Sequence, residues 1–106
     1  MVTRDRLPEG LLADVKNYLN ITWTDETTDK NIGGLIASGM MYLNGKYGSE
    51  ADYTADGALR MLLFDYVRYA RDNALNVFER DFLSALLTMQ HDKAVMDYAL
   101  ELNSSE

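Results

Sequence analysis

The sequence predicts an all-α fold: a compact bundle of about four helices followed by a C-terminal helix or extended arm. Three observations carry this. The chain has one proline, Pro8, so nothing beyond the N-terminus forbids helix. Apolar residues recur at three- and four-residue spacing in four successive segments. The stretch from Asp56 to Phe82 is apolar and aromatic nearly all round, and a helix of that kind must be covered on most sides.

In chain order, Leu11, Leu12, Val15, Tyr18 and Leu19 define the face of a short first helix ending near Asn20. Ile21 to Trp23 is β-prone and reads as a connector whose Trp23 plugs the core. Thr24 or Asp25 caps the second helix through a side-chain oxygen, and Asp25, Glu26 and Asp29 suit the positive end of its dipole. Its buried stripe is Ile32, Leu35, Ile36, Met40 and Leu43, with Gly39 on the same stripe to admit a neighbouring helix. Gly33, Gly34 and Gly39 each weaken it by up to ~1 kcal/mol relative to Ala, so tertiary packing must hold it. Asn44-Gly45 reads as its stop, and Lys46 to Tyr53 as a polar loop.

Thr54 is the expected cap of a third helix with a face of Leu59, Leu62, Leu63, Tyr66, Val67 and Ala70. Asp65–Arg68 and Arg68–Asp72 have ion-pair spacing, and Asp72-Asn73 loosens or ends the helix. Asn76 with Glu79 resembles a capping pair opening a fourth helix, with Phe78, Phe82, Ala85, Leu86 and Met89 inside. This gives one helical domain over residues 1–89. Residues 90–106 form an arm or a helix, frayed from Asn103 to Glu106.

Composition bounds the function. The 106 residues suffice for one domain, and 47% hydrophobic with 25% charged residues is ordinary globular composition. The net charge of −7 argues against gripping nucleic acid phosphates or an anionic membrane. With no cysteine, disulfides and thiolate metal sites are excluded. No apolar run approaches the ~18 residues of a membrane span. Met1 to Gly10 lacks an apolar signal core, so the expected location is cytoplasmic.

Chemistry-bearing clusters are few. His91 is the single histidine and has no convergent partner, so an exposed helix histidine is the favoured reading. Asp52-x-Thr54-x-Asp56-Gly57 matches the first half of a calcium loop, but the twelfth position, which needs a bidentate Glu, is Leu63. Asp25, Glu26 and Asp29 read as a solvated helix start, not as a catalytic carboxylate pair. The seven tyrosines do not interleave with basic residues, so base stacking is disfavoured. No catalytic residue, cofactor site or metal site is expected.

The apolar residues off the main stripes stand apart: Met61, Phe64 and Tyr69 on the third helix, Leu83 and Leu87 on the fourth. Either neighbouring helices bury them within one monomer, or they form a subunit interface. Both readings are open at the level of sequence.

At these residues the chain resembles the small head–tail connector (adaptor, or head completion) proteins of tailed bacteriophages and prophages. The resemblance runs through L-L-A-D-V-K-N-Y-L-N-I-T-W at Leu11–Trp23, D-E-T-T-D at Asp25–Asp29 and I-G-G-L-I-A-S-G-M-M-Y-L-N at Ile32–Asn44. It is clearest at D-G-A-L-R-M-L-L-F-D-Y-V-R-Y-A-R-D-N-A-L, Asp56–Leu75, followed by F-E-R-D-F at Phe78–Phe82. It spans about four fifths of the chain in the family's order; the segment from His91 to Leu102 departs from it. It implies an all-α, non-catalytic virion protein, assembled in the host cytoplasm, forming a ring that is twelve-fold in the particle. Such a ring docks beneath the portal protein, contacts a downstream neck, stopper or tail protein, and extends a channel through which DNA passes without specific binding. The competing expectation is a small acidic helical module that binds or regulates a partner protein.

Overall fold

The structure is a computed structural model, and it describes residues 7–104. Five helices follow one another: α1 (Leu11–Tyr18), α2 (Glu26–Tyr47), α3 (Ala58–Arg71), α4 (Leu75–Asp81) and α5 (Leu83–Ser104). No strand occurs among the described residues. The all-helical class expected from the sequence is therefore observed, with five helices in place of about four.

Backbone chemistry sets the ends of α1. Gly10 takes φ 81 at its start. At its end Asn20 adopts φ 62, while Asn20 N donates to Asn17 O at 3.1 Å and Ile21 N to Lys16 O at 2.8 Å. These two bonds make a Schellman turn, which folds the following apolar side chain back onto the helix. That side chain is Ile21, 5% exposed, whereas Trp23 is 50% exposed. The core plug is thus Ile21, and the expectation for Trp23 is corrected.

Asp25 caps α2, its carboxylate accepting from Thr28 N at 3.1 Å and from Thr28 Oγ1 at 2.9 Å. The helix runs past the expected Asn44-Gly45 stop to Tyr47 and ends on Gly48 at φ 92. Asn44 has a different task. Its amide oxygen accepts from Tyr53 Oη at 2.7 Å and from Ala51 N at 3.2 Å, tying the following loop to the helix. Thr54 does not cap α3, because its backbone N–H and hydroxyl both donate to Asp52. Instead α3 begins after Gly57 without a side-chain cap.

The C-terminus of α3 repeats the turn of α1. Asn73 takes φ 58, Asn73 N bonds Ala70 O at 3.1 Å and Ala74 N bonds Tyr69 O at 2.8 Å. The stop expected at Asp72-Asn73 is this turn. The Asp65–Arg68 pair forms at 3.3 Å; among the described residues the Arg68–Asp72 pair does not. Asn76 lies inside α4, which starts at Leu75 with no side-chain cap. The fourth helix expected from the sequence is broken at Phe82 into α4 and α5. Ala85 faces solvent, not the core, while Leu86 and Met89 are buried as expected.

The core lies where α2 and α3 pack along each other, with α1 and the start of α5 completing it. All of Leu62, Leu63, Tyr66 and Val67 are buried from α3, and Ile32, Ile36, Met40 and Leu43 from α2. Phe78 anchors α4 inside an aromatic cluster, edge-on to Tyr66 at 5.5 Å and to Tyr69 at 5.6 Å and stacked on Phe82 at 4.9 Å.

At Gly39 α2 and α3 approach closely. A Cβ placed there would sit 2.7 Å from Tyr66 Cδ1 and 2.8 Å from Leu63 Cδ1, whereas one at Gly34 would meet nothing within 4 Å. The two positions therefore respond oppositely to alanine. Gly34→Ala should raise stability by roughly 0.5–1 kcal/mol through helix propensity alone. Gly39→Ala gains the same propensity but forces α2 and α3 apart, and should lose a net ~1–2 kcal/mol. Urea denaturation of the two variants checks this, and equal shifts would contradict the close packing.

Tyr53 is the buried plug of the loop, 1% exposed. Burial pushes its hydroxyl pKa up from 10.0 to about 12. A raised folded-state value means that the fold favours the neutral phenol. The stability this contributes is complete below pH 10 and is lost as the pH climbs from 10 towards 12, about 2–3 kcal/mol from this group. Alkaline titration of the unfolding free energy should show this fall, and Tyr53→Phe should flatten it. A fall of the same size in Tyr53→Phe would move the effect to other tyrosines.

Candidate interaction surface

The 22 residues of α5 divide into two parts. Its first two turns bury Leu86 at 2% and Met89 at 5% exposure. Gln90 then donates from Nε2 to Lys46 O at 3.0 Å, at the C-terminal end of α2. Beyond this bond, residues 91–103 are all exposed except the half-buried Lys93. The segment that the sequence left open between helix and arm is thus a helix, continuous with the start of α5 across residue 90. It lengthens the molecule to 54 × 29 × 22 Å with a radius of gyration of 15.1 Å, against about 13 Å for a compact chain of this size.

This projecting helix is apolar on more than one side. Leu83, Leu87, Ala94 and Tyr98 share one face, at four- and eleven-residue spacing. Val95, Met96 and Ala99 occupy another. Leu87 is 56%, Val95 55%, Tyr98 62% and Leu100 62% exposed. Apolar residues on several sides of a helix call for cover, yet Leu87, Val95, Met96, Tyr98 and Leu100 stay exposed within one chain.

The five off-stripe residues separate into two groups. Met61, Leu83 and Leu87 are exposed. Phe64 and Tyr69 are half-buried with partners inside the monomer. Phe64 lies between the Tyr18 ring at 5.4 Å and the Arg60 guanidinium at 4.7 Å. Tyr69 meets Phe82 edge-on at 5.3 Å and donates its hydroxyl to Asp81 at 3.0 Å. Leu83 and Leu87 share one face of α5, and Met61 stands apart on α3. Sequence reasoning missed the exposed apolar residues Tyr18, Trp23, Met41 and Leu75 and those of α5 beyond residue 90. The signal for the last group was the weak periodicity of that segment, which offers no single buried face.

The acids singled out by the sequence have structural tasks. Asp25 is the α2 cap, and the hydrogen bond from Thr28 N holds its carboxyl below the usual value. Glu26 pairs with Lys30 at 3.0 Å and Asp29 with Lys16 at 2.7 Å. In the partial calcium loop, Asp52 is taken by Thr54, and Leu63 at its twelfth position is fully buried. His91 is exposed on α5. Among the described residues no group of three His, Cys, Asp or Glu side chains could hold a metal ion. Chelator treatment should accordingly leave the melting temperature unchanged, and a drop of several degrees would reveal a structural ion. Among the described residues no helix is long and apolar enough to cross a membrane. Comparison with protein-family models, curated proteins and solved structures finds no match to this chain.

Proposed function

We propose that this chain is a structural neck protein of a tailed phage or prophage, forming a ring adaptor between the portal and the downstream neck or tail components and extending the DNA channel. The observation that supports this best is the projecting half of α5, whose exposed apolar residues on several faces call for cover from other subunits. A ring is built from heterologous contacts, each subunit offering two different surfaces. The resemblance of Leu11 to Phe82 to connector proteins supplies the setting, with portal below and stopper beyond. In this reading the protein catalyses nothing, and its net charge of −7 suits a conduit along which DNA slides without being held.

Native mass spectrometry of the purified chain, alone and with the portal protein of its own genome, tests the proposal. A portal complex carrying twelve copies of this chain is the expected result. No complex with the portal at any stoichiometry would overturn it and leave the competing reading, a small acidic module that binds another partner protein.

A further inference from the structure

Of the eight Lys and Arg side chains among the described residues, seven form ion pairs within the chain, and Arg71 does not. Arg71 is exposed at the C-terminal end of α3. It borders a groove of about 430 Å³ between α2 and α3, with Ile32, Leu35 and Ala70 as its apolar wall. Asp92 is the counterpart: an exposed acid on α5 with no ion pair. Val95, Met96 and Ala99 follow it three, four and seven residues on, so the four side chains form one stripe of α5.

The stripe and the groove lie at opposite ends of the molecule. The groove sits at the start of α2, lined there by Thr28 and Asn31. The second half of α5 begins at the end of α2, where Gln90 bonds Lys46 O; Asp92 and Met96 still border an open cleft beside Tyr47, Asp52 and Leu59, and the helix projects beyond them. Along α2 the groove residues Leu35 and Thr28 lie 11 and 18 residues from Lys46, about 17–27 Å. The stripe therefore cannot fill its own groove, but a second copy's can. Two copies that each carry −7 repel on average, so a contact between them needs a local match of cation and acid.

From this placement we infer that the Asp92–Ala99 stripe of one copy docks head-to-tail into the α2–α3 groove of the next, Asp92 meeting Arg71 and the apolar residues meeting Ile32, Leu35 and Ala70. This rests on the ring reading only for its closure; the pairwise contact stands without the portal.

Charge reversal tests it by sedimentation equilibrium of the full chain up to roughly 1 mM. Both residues are exposed, and circular dichroism checks that the variants fold. Wild type should self-associate, and Arg71→Asp or Asp92→Arg alone should weaken association at least about tenfold. A 1:1 mixture of the two variants should restore it, because every contact in an alternating chain then pairs opposite charges. Monomeric wild type throughout, single variants that associate like wild type, or a mixture as weak as its components would each overturn the inference. Portal binding is read separately: normal charge-swap behaviour without portal binding would remove the neck reading and leave this contact standing.

Discussion

Leu63→Ala should lower the unfolding free energy by roughly 3–5 kcal/mol, the upper part of the range for truncating a buried leucine. Leu63 is fully buried in the centre of α3, and its Cδ1 abuts the space above Gly39. The cost of such a truncation depends on how far the surroundings collapse into the void. Here the facing position on α2 is a glycine, with no side chain to swing inward. A loss of this size is a large fraction of the ~5–15 kcal/mol that holds a typical domain together. Met61→Ala on the same helix is the control: Met61 is 67% exposed, and the change should stay within about 0.5 kcal/mol. Urea denaturation reads both, and a loss below 1 kcal/mol at Leu63 would contradict the packing of α2 on α3.

The second large effect concerns assembly. Leu83→Asp, and the double variant Leu87→Asp with Tyr98→Asp, should fold normally yet fail to form portal-bound rings. Their side chains are exposed in the monomer, so folding loses little. In an interface each would contribute roughly 1.5–3 kcal/mol by burial, and the introduced carboxylate adds a desolvation penalty. Met61→Asp should also fold. Phe64→Asp and Tyr69→Asp should behave differently. They remove the ring between Tyr18 and Arg60 and the ring beside Phe78 and Phe82, so the monomer itself should lose stability. Circular dichroism with thermal melting separates the two groups. Normal portal-bound rings from both the Leu83 variant and the double variant would remove the Leu83–Tyr98 face of α5 from the interface.

The helical class and the core stripes of α2 and α3 were legible because periodicity reports directly on burial: Ile32, Ile36, Met40, Leu43, Leu62, Leu63, Tyr66 and Val67 are all buried. The punctuation between helices was less legible, because local residue type does not reveal which partner an amide or hydroxyl will choose. Asn44 looked like a stop and instead anchors Tyr53 and Ala51. Thr54 looked like a cap and instead bonds Asp52. Trp23 looked like a plug because it is the largest apolar group nearby, but the left-handed turn at Asn20 presents Ile21 to the core and carries Trp23 outward. The break at Phe82 has no proline or glycine to announce it. As for the candidate surface, apolar excess could be counted from the sequence but not allocated. Phe64 and Tyr69 found partners at home, while Leu83, Leu87, Val95, Met96 and Tyr98 stay exposed.

Methionine oxidation offers the most direct measurement of whether α5 is the assembly surface. In the free chain Met96 is 53% and Met61 67% exposed, against 7% for Met40 and 5% for Met89. Brief peroxide treatment followed by peptide mass spectrometry should therefore oxidise Met96 and Met61 rapidly in the free protein and spare Met40 and Met89. In the portal-bound assembly Met96 should become protected, with the core methionines unchanged. Met96 oxidised as fast in the assembly as in the free chain would contradict the assignment of α5 as the surface through which this protein assembles.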